Sequence, residues 1–209
     1  MEYKKRSIND YIFDFVYRSA MNDATMQNAY TGSKDELLKN PKAKNIVRAY
    51  INSIFSSDAE QNVFNYDFYN IANELKNEFI DYPDFTFGNI QKLINMTAKY
   101  FFISTYNEEN KNIFSKCHCP MDSIMIKAVV DKYKKLIKND KEQSEKKLEY
   151  FCYEGKKTKD WSKISWSKIS DEKTKDRTSI DVYKNYQEMV NYLANKRYMP
   201  LEMDFILYE

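Results

Sequence analysis

The stretch Phe85–Ile126, FTFGNIQKLINMTAKYFFISTYNEENKNIFSKCHCPMDSIMI, decides how the rest of the chain is read. Its spacing predicts a helix over about Asn89–Ser104, opening just after Gly88, with Ile90, Leu93, Ile94, Thr97, Ala98 and Phe101 on the buried face. Lys92, Asn95 and Lys99 share a second face of that helix. A polar loop over Thr105–Lys116 follows. Pro120 then opens a second helix, about Met121–Asn139, with Asp122 in its first turn and Ile124, Met125, Ala128, Val129 and Leu136 turned inward.

Before this stretch the chain reads as helices of ordinary amphipathic pattern. Ile8, Tyr11, Ile12, Phe15 and Val16 recur every three or four residues and predict a helix over 7–20. Asn22–Ser33 reads as a loop, and Lys34–Lys39 as a short helix ended at the Asn40-Pro41 step. Ile46, Val47, Tyr50, Ile51 and Ile54 form the next stripe. Ser57-Asp58-Ala59-Glu60 has a capping-box pattern, and the helix it opens should reach about Ile80 with Phe64, Phe68, Ile71, Leu75 and Phe79 inward. Tyr82-Pro83-Asp84 breaks it.

After the stretch, residues 139–177 are dominated by Lys, Glu and Asp. They contain an immediate five-residue duplication, Trp161-Ser-Lys-Ile-Ser165 followed by Trp166-Ser-Lys-Ile-Ser170. Two copies are too short for a solenoid, and the duplication reads as a slip in a loop that tolerates insertion. Ser179 caps a strongly amphipathic helix to about Lys196, with Ile180, Tyr183, Tyr186, Met189, Val190 and Leu193 inward. Pro200 starts a short terminal helix carrying Leu201, Phe205 and Tyr208. No convincing strand is visible. The expected fold is all-α, one helical domain over 1–209, divisible into two closely packed lobes (1–84 with 179–209, and 85–140), and a lysine-rich, partly irregular segment at 141–178.

Composition agrees with helices. Three Gly and four Pro are few for 209 residues, whereas sandwiches and barrels of short strands need frequent turn residues. Cys117, Cys119 and Cys152 make an odd number, which argues against a disulfide framework and for a reducing compartment. No apolar run approaches the roughly 18 residues that a membrane span requires, and the start lacks a signal peptide's apolar stretch. A cytoplasmic location without membrane association is expected. Net charge is only +2, yet residues 127–177 hold 16 Lys/Arg against 10 Asp/Glu, leaving 17 against 21 elsewhere. That asymmetry suits a face that meets a polyanion, and equally a solvated lysine-rich segment.

Lys92 and Asp122 are the candidates for chemistry. A lysine near a helix start meets the positive end of the helix dipole, and partial burial makes its ammonium harder to keep. Such an amine is a nucleophile toward a sugar or carbonyl carbon. A carboxylate in the first turn of the following helix stays ionised and can support positive charge growing on a sugar ring, although Asp122 also suits a simple helix cap. Cys117-His118-Cys119 resembles a fragment of a metal site, but three such neighbours do not fit one zinc and no second pair of ligands exists. No metal or other cofactor is expected. His118, the single histidine, is a possible accessory acid or phosphate contact, or packs beside Pro120.

Phe87-Gly88, Gln91-Lys92-Leu93, the apolar helix through Tyr100-Phe101, and Cys119-Pro120-Met121-Asp122-Ser123 before Ile124-Met125-Ile126 resemble the core of the helix-hairpin-helix DNA glycosylases, closest to their 8-oxoguanine-glycosylase-like branch in bacteria. The likeness covers about 40 residues, with a weaker one in the Trp-Ser-Lys stretch and the acidic-aromatic C-terminus. Three features differ: the family's second hairpin glycine is absent, the interval from Lys92 to Asp122 is longer, and Phe87 stands where the family has a small residue. The resemblance implies two helical lobes with a helix-hairpin-helix-like core between them. It implies a glycosylase or glycosylase/lyase in DNA repair or phage defence, with Lys92 as nucleophile and Asp122 as its partner. The partner molecule would be duplex DNA with a damaged or modified base, flipped into a pocket for which Tyr100, Phe205 and Tyr208 are nominees. Gly88, Asn89, Gln91, Lys99, Ser123 and Lys127 would contact nucleic acid. The alternative is a non-catalytic helical factor of phage or mobile-element origin that binds nucleic acid or protein.

Overall fold

A computed structural model describes residues 6–26, 28–55, 67–105, 115–138, 152–153, 156–157, 161, 164–170 and 178–208. The fold is all-α. Helix α1 spans Ile8–Thr25, α2 Lys34–Leu38, α3 Pro41–Phe55, α4 Phe68–Glu78, α5 Phe87–Thr105 and α6 Ser123–Lys138. Two-residue bridges follow. β1 (Cys152–Tyr153) pairs antiparallel with β2 (Lys156–Lys157), and β3 (Ile169–Ser170) pairs in parallel with β4 (Thr178–Ser179). Helix α7 spans Ile180–Ala194, and a single 3-10 turn at Pro200–Glu202 leads into α8, Met203–Ile206. No helix among the described residues is long and apolar enough to cross a membrane.

Helix α5 is the axis of the molecule. Every residue from Phe87 to Ala98 is buried, polar ones included, so the helix is wrapped on all sides in its first three turns. The predicted apolar face is in the core, and Lys92, Asn95 and Lys99 do share a second face. Helix α1 packs along α5, while α4 and the 164–170 strap cover its N-terminal half.

The sequence pattern misplaced two helix faces. On α1, Phe13, Val16, Tyr17, Ala20, Met21 and Ala24 are buried, whereas Ile8 and Phe15 are 72% and 70% exposed and Tyr11 also faces out. Both stripes fit a 3.6-residue period. The one that wins continues through Ala20 and Ala24, whose small side chains let α1 lie close to α5 over its full length. The helix therefore runs on to Thr25, into the expected loop. Its flank is tied to α3 by Arg48, which donates to Asp10 and Asp14, and by Lys44 at 2.7 Å from Asp14.

On α6, Met125, Ile126, Val129, Val130, Tyr133 and Ile137 pack toward α7, and the expected Ile124 and Leu136 are exposed. The phase is set at the start. Pro120 and Met121 lie outside the helix, Ser123 is the first helical residue, and the Asp122 side chain accepts from the Met125 amide at 2.9 Å. That cap turns Met125 and Ile126 inward.

Further on the N-terminal side, Asn40 caps α3 by accepting from the Lys42 and Ala43 amides, both at 3.0 Å, with Pro41 at the first helical position. Helix α4 begins at Phe68, capped by Asp67. The Ser57–Glu60 capping box and Phe64 lie outside the described residues. Phe68, Ile71, Leu75 and Phe79 are buried as expected, and Ile80 is exposed. At the C-terminal end, Leu201 is buried but Phe205 and Tyr208 face outward.

The duplicated segment is no free loop. Trp161 is buried, Ile169 and Ser170 are buried, and Trp166 heads a 3-10 turn (Trp166–Lys168) laid across the start of α5.

Candidate functional site

Two elements bring Lys92 and Asp122 together. Lys92 lies in the second turn of α5, and its amine donates to Asp122 Oδ2 at 2.9 Å. The lysine is only 9% exposed. Asp122 uses its other oxygen, Oδ1, to cap α6. One carboxylate thus closes a helix end and holds the amine, so the cap and the partner of Lys92 are the same side chain.

The segment before Asp122 is fixed by two buried glutamines that each read one backbone residue. Gln91 donates to the Met121 carbonyl at 2.8 Å and accepts from the Met121 amide at 3.2 Å. Gln187 on α7 donates to the Cys119 carbonyl at 2.7 Å and accepts from the Cys119 amide at 3.2 Å. Alternate residues of an extended segment are thereby held as a neighbouring strand would hold them, with no strand present. Tyr186 adds a bond to the Pro120 carbonyl at 2.8 Å. Each buried backbone group in this passage would otherwise lack a partner.

The polar stripe of α5 continues this pattern. Asn95 donates to the Tyr183 hydroxyl at 2.9 Å, leaving that hydroxyl's proton for His118 Nδ1, also 2.9 Å away. The donor order places the neutral ring's own proton on Nε2. His118 lies against Phe68 at a ring separation of 4.3 Å, and burial pushes its pKa down from 6.5 to about 4. A neutral ring held this way packs; it does not neutralise a phosphate. Burial likewise raises the Cys117 thiol to about 12 and lifts Cys119 well above its ordinary value. These are inert core thiols.

Seven residues along from Lys92, Lys99 is ion-paired with Asp204 on α8. Asp204 is a buried residue whose pKa burial raises, against the pull of Lys99, and it also feels Asp122 and Lys92 electrostatically. The result is two cations and two carboxylates alternating along one side of α5. Each cation lies beneath an aromatic ring. Lys92 Nζ is 4.7 Å from the Trp166 ring centre, and Lys99 Nζ is 4.9 Å from that of Phe205.

The other expected site residues divide. Ser123 and Lys127 are exposed in the first turns of α6. Asn89 is buried, accepting from the Thr86 amide at 2.9 Å and donating to the Ala24 and Ala29 carbonyls. The Gly88 amide donates to the Thr86 hydroxyl at 3.1 Å, and a Cβ at Gly88 would stand 1.8 Å from the Trp166 carbonyl oxygen. The space beside Gly88 is filled by the Trp166 backbone, and the Gly88 amide is already engaged by Thr86. Phe87 is buried too, edge-on to Tyr183 at 5.3 Å. Tyr100 bonds Asp23 through its hydroxyl. Sequence reasoning did not nominate Trp166, Asp204 or Gln187; the Trp-Ser-Lys stretch and the acidic-aromatic C-terminus carried only a weaker likeness, with no residue in them singled out beside Lys92.

The fold and this cluster define a helical protein built round a buried lysine–aspartate pair. No protein-family model matches the chain, and no curated protein or solved structure matches it either.

Proposed function

We propose that the protein is a DNA glycosylase/lyase of helix-hairpin-helix type, in which Lys92 is the nucleophile and Asp122 its electrostatic partner. The observation that carries the reading is the 2.9 Å contact between an amine and a carboxylate thirty residues apart, on two elements held in register by buried glutamines. The resemblance in Phe87–Ile126 supports it independently.

In the proposed reaction the Lys92 ammonium first loses a proton to solvent water. Its lone pair then attacks C1′ as the bond from C1′ to the base breaks, the bonding pair leaving with the base, which is then protonated. The Asp122 carboxylate offsets positive charge developing on the sugar. Opening of the sugar ring leaves an imine between Lys92 and C1′, from which strand cleavage can follow. The damaged or modified nucleotide is extruded from the duplex to reach the amine. Ser123 and the exposed Lys127, Lys132, Lys134 and Lys135 of α6, which starts at the site, supply phosphate contacts that weaken steeply with salt.

Borohydride trapping tests the proposal. Duplexes carrying an abasic site or a single 8-oxoguanine should give a covalent adduct with the wild-type chain, none with Lys92→Ala, and about 10²- to 10³-fold slower formation with Asp122→Asn. Adduct formation by Lys92→Ala at the wild-type rate would end the assignment. A second reading has its own observation: Gly88, Asn89 and Gln91 are all engaged within the protein, as in a scaffold whose ion pair is only a brace. Complete absence of trapping with all duplexes would favour that non-catalytic binding factor.

A further inference from the structure

We infer that Trp166 is the specificity-determining wall of the site, the surface against which the base of the attacked nucleotide stacks. This rests on the glycosylase reading above, and it concerns a residue in the stretch where the resemblance is weak. An attacking amine needs C1′ at about 3–3.5 Å. The Trp166 ring centre lies 4.7 Å from that amine, and Asp122 Oδ2 lies 2.9 Å from it. A nucleotide that reaches Lys92 along the Trp166 side meets the indole, and its base is the group with a face to stack on that ring.

The wall is fixed by its backbone. Gly88 and Lys92 are four residues apart and so lie on the same face of α5. The Trp166 carbonyl rests in the notch that Gly88 leaves, and the Thr86 hydroxyl donates to the Ser167 carbonyl at 2.6 Å. The side chain then reaches one turn along the helix to the amine. The following Ile169 and Ser170 are buried and bridge to Thr178 and Ser179. The duplicated pentapeptide has thus given two tryptophans different places: Trp161 is 3% exposed in the core, and Trp166 is partly exposed over the nucleophile.

The chain has two tryptophans, so Trp161→Phe leaves Trp166 as the single indole reporter. Its fluorescence is titrated with a duplex carrying one 8-oxoguanine and with the same duplex carrying a tetrahydrofuran abasic analogue. Stronger quenching by the base-bearing duplex is expected. In parallel, Trp166→Ala should bind the 8-oxoguanine duplex about tenfold or more weakly, a larger loss than with unmodified duplex, and Trp166→Phe should recover most of it. If Trp161→Phe does not fold, fluorine NMR of the wild-type chain labelled with fluorotryptophan reads the two indoles separately. Equal response to both duplexes, or unchanged binding by Trp166→Ala, overturns the inference while wild-type trapping leaves the glycosylase reading standing. Faster trapping by Trp166→Ala also overturns it, making the indole a lid. Absence of wild-type trapping removes both.

Discussion

Gly88→Ala tests how the strap, the helix and the site are joined. A Cβ at this position meets the Trp166 carbonyl oxygen at 1.8 Å, the Trp166 carbonyl carbon at 2.9 Å and the Ser167 Cα at 3.1 Å. All three are backbone atoms, so no side-chain rotation relieves the clash and the strap must lift. Overpacking of this kind costs about 1–3 kcal/mol. Lifting the strap also breaks the Thr86–Ser167 hydrogen bond, about 1 kcal/mol more. Alanine's higher helix propensity returns up to about 1 kcal/mol. The net expectation is a loss of about 2 kcal/mol, which for a chain of this size lowers Tm by about 4–8 °C. Urea and thermal unfolding read the stability, and Trp166 fluorescence in the Trp161→Phe background reads whether the indole has left the amine. An alanine variant as stable as wild type, with an unchanged indole signal, would refute the notch argument.

Gln91→Leu strands the Met121 amide and carbonyl, and should cost roughly 3 kcal/mol in urea unfolding while slowing any Lys92 chemistry, because Asp122 is the next residue. Lys99→Met leaves the Asp204 carboxylate buried without its cation, a loss of about 3–5 kcal/mol at neutral pH. Asp204's pKa is already raised, so its contribution is full below 3.8 and is lost as pH rises through the folded value; acidification, or Asp204→Asn, should therefore rescue Lys99→Met. His118 titrates the other way. Its folded pKa of about 4 lies below 6.5, so its contribution is full above 6.5 and falls away toward pH 4, by up to roughly 3 kcal/mol; chemical denaturation across that window should show the slope in wild type and not in His118→Gln. Asp122→Asn keeps an α6 cap and removes the charge, whereas Asp122→Ala removes both and should melt about 1 kcal/mol less stable than Asp122→Asn.

The central helix was legible because its apolar residues admit one phase: Ile90, Leu93, Ile94, Thr97, Ala98 and Phe101 are all in the core. Where two stripes fit the same period, as on α1 and α6, sequence alone had no basis for choosing. The choice lay in tertiary facts, the closeness that Ala20 and Ala24 allow and the rotation that Asp122 imposes. Gly88 was noticed, but as a hairpin glycine for phosphate. Its use as a packing notch depends on a backbone 78 residues further on, a contact that no local pattern records. Trp166 was hidden for a related reason. A duplicated pentapeptide in a charged segment looks like tolerated insertion, and only the three-dimensional path shows one copy against the amine.

The polarity of α5 bears on what the protein is for. A buried ion pair is commonly no better for stability than well-packed apolar residues of similar volume, because removing two charges from water consumes most of their attraction. Here one face of α5 carries Gln91, Lys92, Asn95 and Lys99, each matched to a partner outside the helix: Met121, Asp122, Tyr183 and Asp204. Leucines in those places would join α5 to its neighbours as firmly. What they would not supply is an amine held against a carboxylate beneath an aromatic ring, with the backbone leading to that carboxylate fixed at Cys119 and Met121 by glutamine side chains. That arrangement is expensive as a brace and apt as a site, and this contrast is the physical argument behind the chemical role proposed for Lys92.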